Sequence, residues 1–116
     1  MSGPLADVRV IDFGSFITGP FAAMLLADLG AEVIKVERPG AGDPFRSFES
    51  GLYGPQFRAF NRNKKSIVLD PDSDADRPLI EELVRRSDVL IQNTRPGTME
   101  KRGLGADHLR AINPRL

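Results

Sequence analysis

Apolar and polar residues follow a strand, helix, strand pattern at the start of the chain. Residues 8–13 form a short β-branched and apolar run between turn residues, which predicts a strand. Residues 21–29 are rich in helix formers, with Pro20 suited to a first helical position and Gly30 suited to a C-terminal cap. Residues 32–37 alternate apolar and charged side chains and predict a second strand.

The middle of the chain, residues 38–65, has no sustained hydrophobic period. Its prolines and glycines predict a long loop, and loops of that length are usually functional or unstructured. Five aromatic side chains are expected to pack this loop against the rest of the domain, namely Phe45, Phe48, Tyr53, Phe57 and Phe60.

The last third of the chain returns to alternating elements. Residues 66–69 and 88–92 predict strands, and residues 106–112 predict a short helix. Another helix is predicted between the two strands, because apolar residues recur there at helical spacing. This alternation of strands and helices predicts an α/β fold with a parallel sheet. The residues expected along one face of the longer helix are Leu79, Ile80, Leu83 and Val84.

The composition is typical of a globular protein, and the chain has no net charge that would attract a charged partner over a distance. Hydrophobic residues make up 41% and charged residues 28%, which lies outside the range typical of disorder. The 16 basic and 16 acidic side chains cancel, so neither nucleic acid nor a membrane is an expected partner. The absence of cysteine excludes disulfides and thiolate chemistry. Without a signal-like start or a long apolar run, a cytoplasmic protein is expected.

Candidate ligand-binding residues follow three of the predicted strands. Ligands of open parallel sheets bind beyond the carboxyl ends of the strands. Residues 14–20 follow the first strand, Arg38 follows the second and residues 93–97 follow the fourth. Together they offer backbone amides, hydroxyls, an amide side chain and guanidinium groups, which suit an anion. Taken one at a time, these residues are equally consistent with solvated charges and turn glycines.

Motifs for nucleotides, metals and catalysis fit poorly. The glycines after the first strand form neither a dinucleotide fingerprint nor a phosphate-binding loop with its lysine. The acidic residues of positions 70–81 are spaced like a calcium loop, but Pro71 intrudes and Ala75 replaces the required glycine. The one histidine, His108, has no serine partner that the sequence identifies. Neither a catalytic residue nor a metal site is predicted within the chain.

Four stretches of the chain resemble one enzyme family. The first resembles the start of family III coenzyme A (CoA) transferases and reads PLADVRVIDFGSFITGPFAAMLLADLGAEVIKVERPGAGDPFR. This CaiB/BaiF group includes formyl-CoA, carnitine and bile-acid CoA transferases as well as α-methylacyl-CoA racemase. Three later stretches occur in the family's order and spacing, namely FNRNKKSIVLD, SDVLIQNTRPGTMEKRGLG and INPRL. The resemblance therefore covers essentially all 116 residues.

The resemblance implies a Rossmann-like CoA-binding segment over residues 1–116, which begins a longer chain that forms an interlocked homodimer. It implies acyl-CoA:carboxylate CoA-transferase activity through an aspartyl-CoA thioester. CoA thioesters are then substrates, and no tightly bound cofactor is expected. The family's attacking aspartate follows Leu116, so catalysis is assigned to none of the aspartates here and the segment alone is expected to be inactive.

Two other functions stay open at this stage. One is an α-methylacyl-CoA racemase of the same family, whose acid and base pair also lies later in the chain. The other is a non-catalytic CoA-binding or nucleotide-binding module, which a gene ending at residue 116 would favour.

The resemblance also implies CoA contacts at particular residues. One departure from the family is Asp72, because some relatives carry a lysine shortly after this strand, and contacts at the adenine end are expected to differ. Arg38 is expected near the adenosine phosphates, and Leu69 beside the adenine. The other expected contacts are Ser15, Phe16 and Ile17 after the first strand, Asn93, Thr94 and Arg95 near the pantetheine and diphosphate, and Lys101 and Arg102 near the ribose 3′-phosphate.

Overall fold

The strands form a parallel sheet in the order β3-β2-β1-β4 in the computed structural model, which describes residues 2–48, 51 and 53–116. β1 (Arg9–Asp12) pairs with β2 (Glu32–Glu37) on one side and with β4 (Val89–Ile91) on the other. β3 (Lys64–Val68) pairs with the far side of β2. The predicted α/β fold with a parallel sheet is therefore confirmed.

Helices connect the strands and cover both faces of the sheet. α1 joins β1 to β2, and α3 joins β3 to β4. A short 3-10 helix and α2 lie between β2 and β3, while α4 and α5 follow β4. Their bounds are α1 (Thr18–Asp28), the 3-10 helix (Pro44–Ser47), α2 (Pro55–Ala59), α3 (Arg77–Arg85), α4 (Thr98–Lys101) and α5 (Ala106–Ile112).

Two apolar layers form the core, one on each face of the sheet. Successive strand residues point to opposite faces, so Val10 packs in the layer under α1 while Ile11 packs in the layer under α3 and α5. The α1 layer uses small side chains, Ala23 and Ala27, which let the helix lie close to the sheet. The opposite layer is larger and contains Ile11, Phe13, Val36, Leu69, Ile80, Val84, Met99, Leu104 and Leu109.

The predicted loop over residues 38–65 is partly wrong. It contains the 3-10 helix and α2, each of which begins at a proline whose fixed φ suits a first helical position. β3 also begins at Lys64, before the predicted position 66. Phe45 and Phe57 are buried as expected, whereas Phe48 and Tyr53 are exposed. Residues 49, 50 and 52 of the predicted loop lie outside the described residues.

The helix predictions need three corrections. α1 begins at Thr18, three residues before the predicted start. α4 was not predicted as a helix, because four residues are too few to carry a helical period. Leu79 does not lie on the buried face of α3, since 58% of its surface is exposed. The buried face is centred on Ile80 and Val84, which are four residues apart and lie one above the other.

Two kinds of feature are absent from the described residues. None of their helices has the length and apolar character needed to cross a membrane. Nor do the described histidine, aspartate and glutamate side chains form a group of three or more that could hold a metal ion.

We predict that Ile80→Ala lowers the free energy of unfolding by about 2–5 kcal/mol, because it leaves a cavity in the larger core layer. Leu79→Ala on the same helix is the matched control and is expected to cost less than about 0.5 kcal/mol. Urea denaturation followed by circular dichroism measures both values. Equal losses for the two variants would contradict this placement of α3.

Candidate functional site

The turn between β1 and α1 lies at the carboxyl end of the sheet and is held by side chains from other positions. The Gly14 N–H donates to Asp12 Oδ1 at 2.7 Å, and the Ser15 N–H donates to Asn93 Oδ1 at 2.9 Å. The Asn93 amide nitrogen donates to the Ser15 carbonyl and to the Thr18 hydroxyl, both at 2.9 Å. An asparagine after β4 therefore fixes the backbone that follows β1.

Phe16 has a strained backbone conformation in this turn. Its φ of +61° lies in the left-handed region, which a bulky side chain rarely adopts. The Phe16 N–H donates to Asp43 Oδ1 at 3.2 Å, and the same oxygen accepts the Phe45 N–H at 2.9 Å. Such strain costs about 1–3 kcal/mol and persists where the surroundings hold it. Asp43 supplies that restraint from the loop after β2.

Two glycines are required where this turn meets the start of α1. A Cβ atom on Gly19 would lie 2.9 Å from the Gly14 Cα and 3.0 Å from the Asn93 side-chain oxygen. A Cβ atom on Gly14 would lie 2.9 Å from Asp12 Oδ1. Both glycines therefore have a packing reason, and the hydrogen bonds of Asn93 depend on that close approach.

A buried group of two lysines and two aspartates lies beneath the turn. Lys35 Nζ lies 2.9 Å from Asp43 Oδ2 and 3.6 Å from Asp12 Oδ2, and it donates to the Gly14 carbonyl at 3.0 Å. Lys64 Nζ lies 2.8 Å from Asp12 Oδ2. All four charged side chains are at most 2% exposed. Burial lowers the pKa of Lys64, and the neighbouring Asp12 opposes that shift.

Glu37 at the end of β2 organises the loop that carries Asp43. It accepts hydrogen bonds from the Asp43 N–H, from the Arg46 guanidinium through two nitrogens, and from the Ser66 hydroxyl. Burial by itself would raise the pKa of Glu37, but these hydrogen bonds outweigh burial and lower the pKa to about 2. The loop after β2 also requires glycine at position 42, because a Cβ atom on Gly42 would lie 2.6 Å from Glu37 Oε1.

A small pocket of about 100 Å³ opens above this loop at the carboxyl ends of β1, β2 and β4. Two arginines line it, the exposed Arg38 after β2 and the mostly buried Arg102 after α4. Ser15 and Thr94 supply polar walls from the first and fourth strands. Arg102 Nε lies 3.0 Å from Asp72 Oδ1, which stands in the turn after β3. The pocket has two guanidinium groups and is suited to an anion.

The structure brings some of the predicted CoA-contacting residues together and leaves others apart. Ser15, Arg38, Thr94 and Arg102 line the pocket, and Asn93 is joined to Ser15. Phe16 and Ile17 lie beside Ser15 in the turn and are 43% and 47% exposed. Leu69 is buried in the core, while Arg95 and Lys101 are exposed and do not line this pocket. Contacts between these residues and CoA stay predictions.

Three backbone amides of the turn after β1 make hydrogen bonds within the protein. The amides of Gly14, Ser15 and Phe16 already donate to side-chain oxygens of this chain. These three donors are therefore engaged within the protein, and the guanidinium groups are the pocket's main attraction for an anion.

A larger groove of about 360 Å³ lies beside β4 and α5, with an apolar lining that includes Leu90, Leu104 and Leu109. It contains none of the predicted CoA-contacting residues. We therefore place the candidate site at the smaller pocket, where the cationic and polar groups converge.

The sequence analysis missed the buried ionic group. Lys35 gave one usable signal, because it stands within an apolar strand two residues from the buried Val33 and so shares its face. An inward-pointing lysine requires carboxylate partners. The partners themselves come from β1 and from the loop after β2, at separations that no local pattern encodes.

The fold and the pocket define an open parallel α/β domain with a cationic site at the carboxyl edge of its sheet. The chain belongs to CoA-transferase family III, whose sequence profile matches residues 5–116. The family predicted from the sequence is therefore confirmed.

Curated relatives match nearly the whole chain. It is 47% identical over 116 residues to a succinyl-CoA–D-citramalate CoA-transferase of Chloroflexus aurantiacus, covering 97% of this chain and 29% of that protein. It is 46% identical over 121 residues to a succinyl-CoA:mesaconate CoA-transferase of Haloarcula hispanica, covering 98% and 30%. An acetyl-CoA:oxalate CoA-transferase of Acetobacter aceti is 43% identical over 119 residues, with 98% and 30% covered. The chain thus spans about 30% of the length of these relatives.

Solved structures agree with the fold. The protein Rv3272 from Mycobacterium tuberculosis superposes with a TM-score of 0.91 at 45% identity, covering 99% of this chain and 32% of that one. A CaiB/BaiF family protein from Brucella suis superposes with a TM-score of 0.92 at 37% identity, covering 100% and 32%.

We predict that Glu37 makes stability depend on pH below its ordinary pKa of 4.5. Its pKa is lowered in the folded chain, so its stabilising contribution is complete above pH 4.5 and is lost as the pH falls towards 2. The contribution is at most about 3 kcal/mol. Glu37→Gln is therefore expected to be less stable than the wild type at pH 7, with a difference that shrinks towards pH 2.

Thermal denaturation from pH 7 to pH 2 measures this difference. Glu100→Gln, at an exposed position on α4, is the control and should follow the wild type closely. A difference in thermal stability between wild type and Glu37→Gln that stays constant from pH 7 to pH 2 would contradict the lowered pKa of Glu37.

Proposed function

We propose that this chain supplies the CoA-binding loops of an acyl-CoA:carboxylate CoA-transferase, which moves CoA from an acyl-CoA to a carboxylic acid. The observation that carries the proposal is the pocket where Ser15, Arg38, Thr94 and Arg102 meet at the carboxyl edge of the sheet. Family membership and the names of the relatives support this assignment.

In the proposed complex, the two arginines attract the phosphates of CoA, and the turn after β1 gives the binding surface its shape. Arg38 and Arg102 carry guanidinium groups that pair with phosphate through charge-assisted hydrogen bonds. The exposed side chains of Phe16 and Ile17 offer an apolar surface beside those charges. CoA combines phosphates with a largely uncharged pantetheine arm, so the two kinds of surface match the two parts of the ligand.

For Asn93 we propose a positioning role beside the direct contact implied by the resemblance. Its oxygen and nitrogen are bound to the Ser15 backbone and the Thr18 hydroxyl. We therefore assign to Asn93 the positioning of the turn. The neighbouring Thr94 lines the pocket itself and is the better candidate for contact with the ligand.

The proposed transfer begins when a carboxylate attacks the thioester carbonyl carbon. The carbon–sulfur bond breaks, CoA leaves as a thiolate, and an acyl anhydride forms on the enzyme. The thiolate then attacks the anhydride at the enzyme's own carboxyl carbon. That step releases the acyl carboxylate and leaves an enzyme thioester. The carboxylate of the incoming acid attacks this thioester, which expels the CoA thiolate and forms a second anhydride. The thiolate then attacks the carbonyl carbon of the incoming acid in that anhydride, which gives the new acyl-CoA and frees the enzyme carboxylate.

The aspartates of this pocket are poor candidates for that nucleophile. Asp12 and Asp43 are buried and ion-paired with Lys35 and Lys64, so neither is open to a thioester. This arrangement supports the expectation that the attacking aspartate of the family lies outside residues 1–116. The names of the curated relatives favour the transferase over the racemase.

We also propose that the whole protein is a cytoplasmic homodimer. One face of α1 supports a protein partner, because Phe21, Leu25 and Leu29 recur four residues apart there and are 42–48% exposed. Large contiguous apolar patches on a protein surface mark interaction sites.

Calorimetric titration of the 116-residue chain with CoA tests the proposal. Saturable binding is expected, and Arg38→Ala should weaken it by roughly tenfold to a hundredfold, because a hydrogen bond to a charged group contributes about 1.5–3 kcal/mol. Arg110→Ala, on α5 and outside the pocket, is the control and should bind like the wild type.

Circular dichroism establishes that each variant is folded before titration. A folded chain that does not bind CoA, or an Arg38→Ala variant that binds as tightly as the wild type, would contradict the proposed site.

A further inference from the structure

Arg102 already has an anionic partner in this chain. Its Nε lies 3.0 Å from Asp72 Oδ1, and the guanidinium side chain is 15% exposed. Asp72 is 58% exposed and follows Pro71, which lines the same pocket as Arg102. The ion pair therefore lies at the pocket wall with its acidic member on the solvent side.

The two acidic residues that line the pocket are each ion-paired with a basic residue of this chain. Glu37 binds the Arg46 guanidinium through two nitrogens, and Asp43 lies 2.9 Å from Lys35 Nζ. Arg38 has no ion pair among the described residues. The charge available to a phosphate therefore depends on whether Arg102 stays paired with Asp72.

We propose that Asp72 is a specificity-determining residue, which neutralises Arg102 and thereby weakens the pocket's preference for a ligand carrying a ribose 3′-phosphate. The inference rests on the proposed CoA site. A phosphate that approaches Arg102 must displace the Asp72 carboxylate or share the guanidinium with it. Sharing places two anions side by side, and displacement costs the ion pair.

The Asp72 carboxylate is a competitor for Arg102 and has little part in holding the turn. The turn is held by the carboxylates of Asp70 and Asp76, because the Asp72 N–H donates to Asp70 Oδ1 and the Asp70 N–H donates to Asp76 Oδ2. Replacing the carboxylate by an amide keeps both hydrogen bonds and removes the charge. Asp72→Asn therefore tests the charge with the backbone unchanged.

The experiment measures dissociation constants of the 116-residue chain for CoA and for 3′-dephospho-CoA. Asp72→Asn is expected to bind CoA about threefold to tenfold more tightly, and 3′-dephospho-CoA less than about twofold more tightly. Asp74→Asn is the matched control, since Asp74 is fully exposed in the same turn, and it should leave both constants unchanged. Tighter binding cannot arise from a damaged fold.

A double-mutant cycle with Arg102→Ala separates the ion pair from a general charge effect. In the Arg102→Ala background, Asp72→Asn is expected to leave the affinity for CoA unchanged. The inference is overturned if Asp72→Asn increases the affinity for CoA and for 3′-dephospho-CoA equally. It is also overturned if Asp72→Asn still increases the affinity for CoA in the Arg102→Ala background. A wild-type chain that binds CoA and an Asp72→Asn variant that binds it no more tightly would overturn this inference alone. Failure of both to bind would overturn the proposed function and this inference with it.

Discussion

The site depends on the buried interaction of Lys35 with Asp43 and Asp12. A buried charge without a partner is very costly, so each member of this group requires the others to be in place. Lys35 belongs to β2, Asp12 to β1 and Asp43 to the loop after β2. The interaction therefore holds the first two strands and that loop in one arrangement, and the turn after β1 is built on it.

The shape of the turn follows from this constraint. Asp43 restrains the left-handed backbone of Phe16, and Asn93 restrains Ser15 from the other side. Ligand-binding loops that are ordered before the ligand arrives lose less entropy on binding. The same hydrogen bonds occupy the amides of Ser15 and Phe16, while the guanidinium groups of Arg38 and Arg102 line the pocket. Shape and charge are therefore supplied by different parts of the site.

The sequence predicts the elements of this fold better than their contacts. β2 was predicted with its bounds as observed, because apolar and charged side chains alternate along residues 32–37. Leu79 was misplaced, since apolar residues at positions 79, 80, 83 and 84 do not reveal which of them face the sheet. Arg38 was proposed because ligands of parallel sheets bind beyond the carboxyl ends of the strands, whereas Arg102 was implied by the family resemblance. The Asp43 contact joins residues 27 apart and has no local signature.

The turn after β1 takes its shape from the protein and is formed before any ligand binds. Amide hydrogen exchange of the free 116-residue chain measures this directly. We expect the Phe16 amide to exchange slowly although its side chain is 43% exposed, and to lose that protection in Asp43→Ala. Exchange of the wild-type Phe16 amide at the rate of an unstructured peptide would contradict the account.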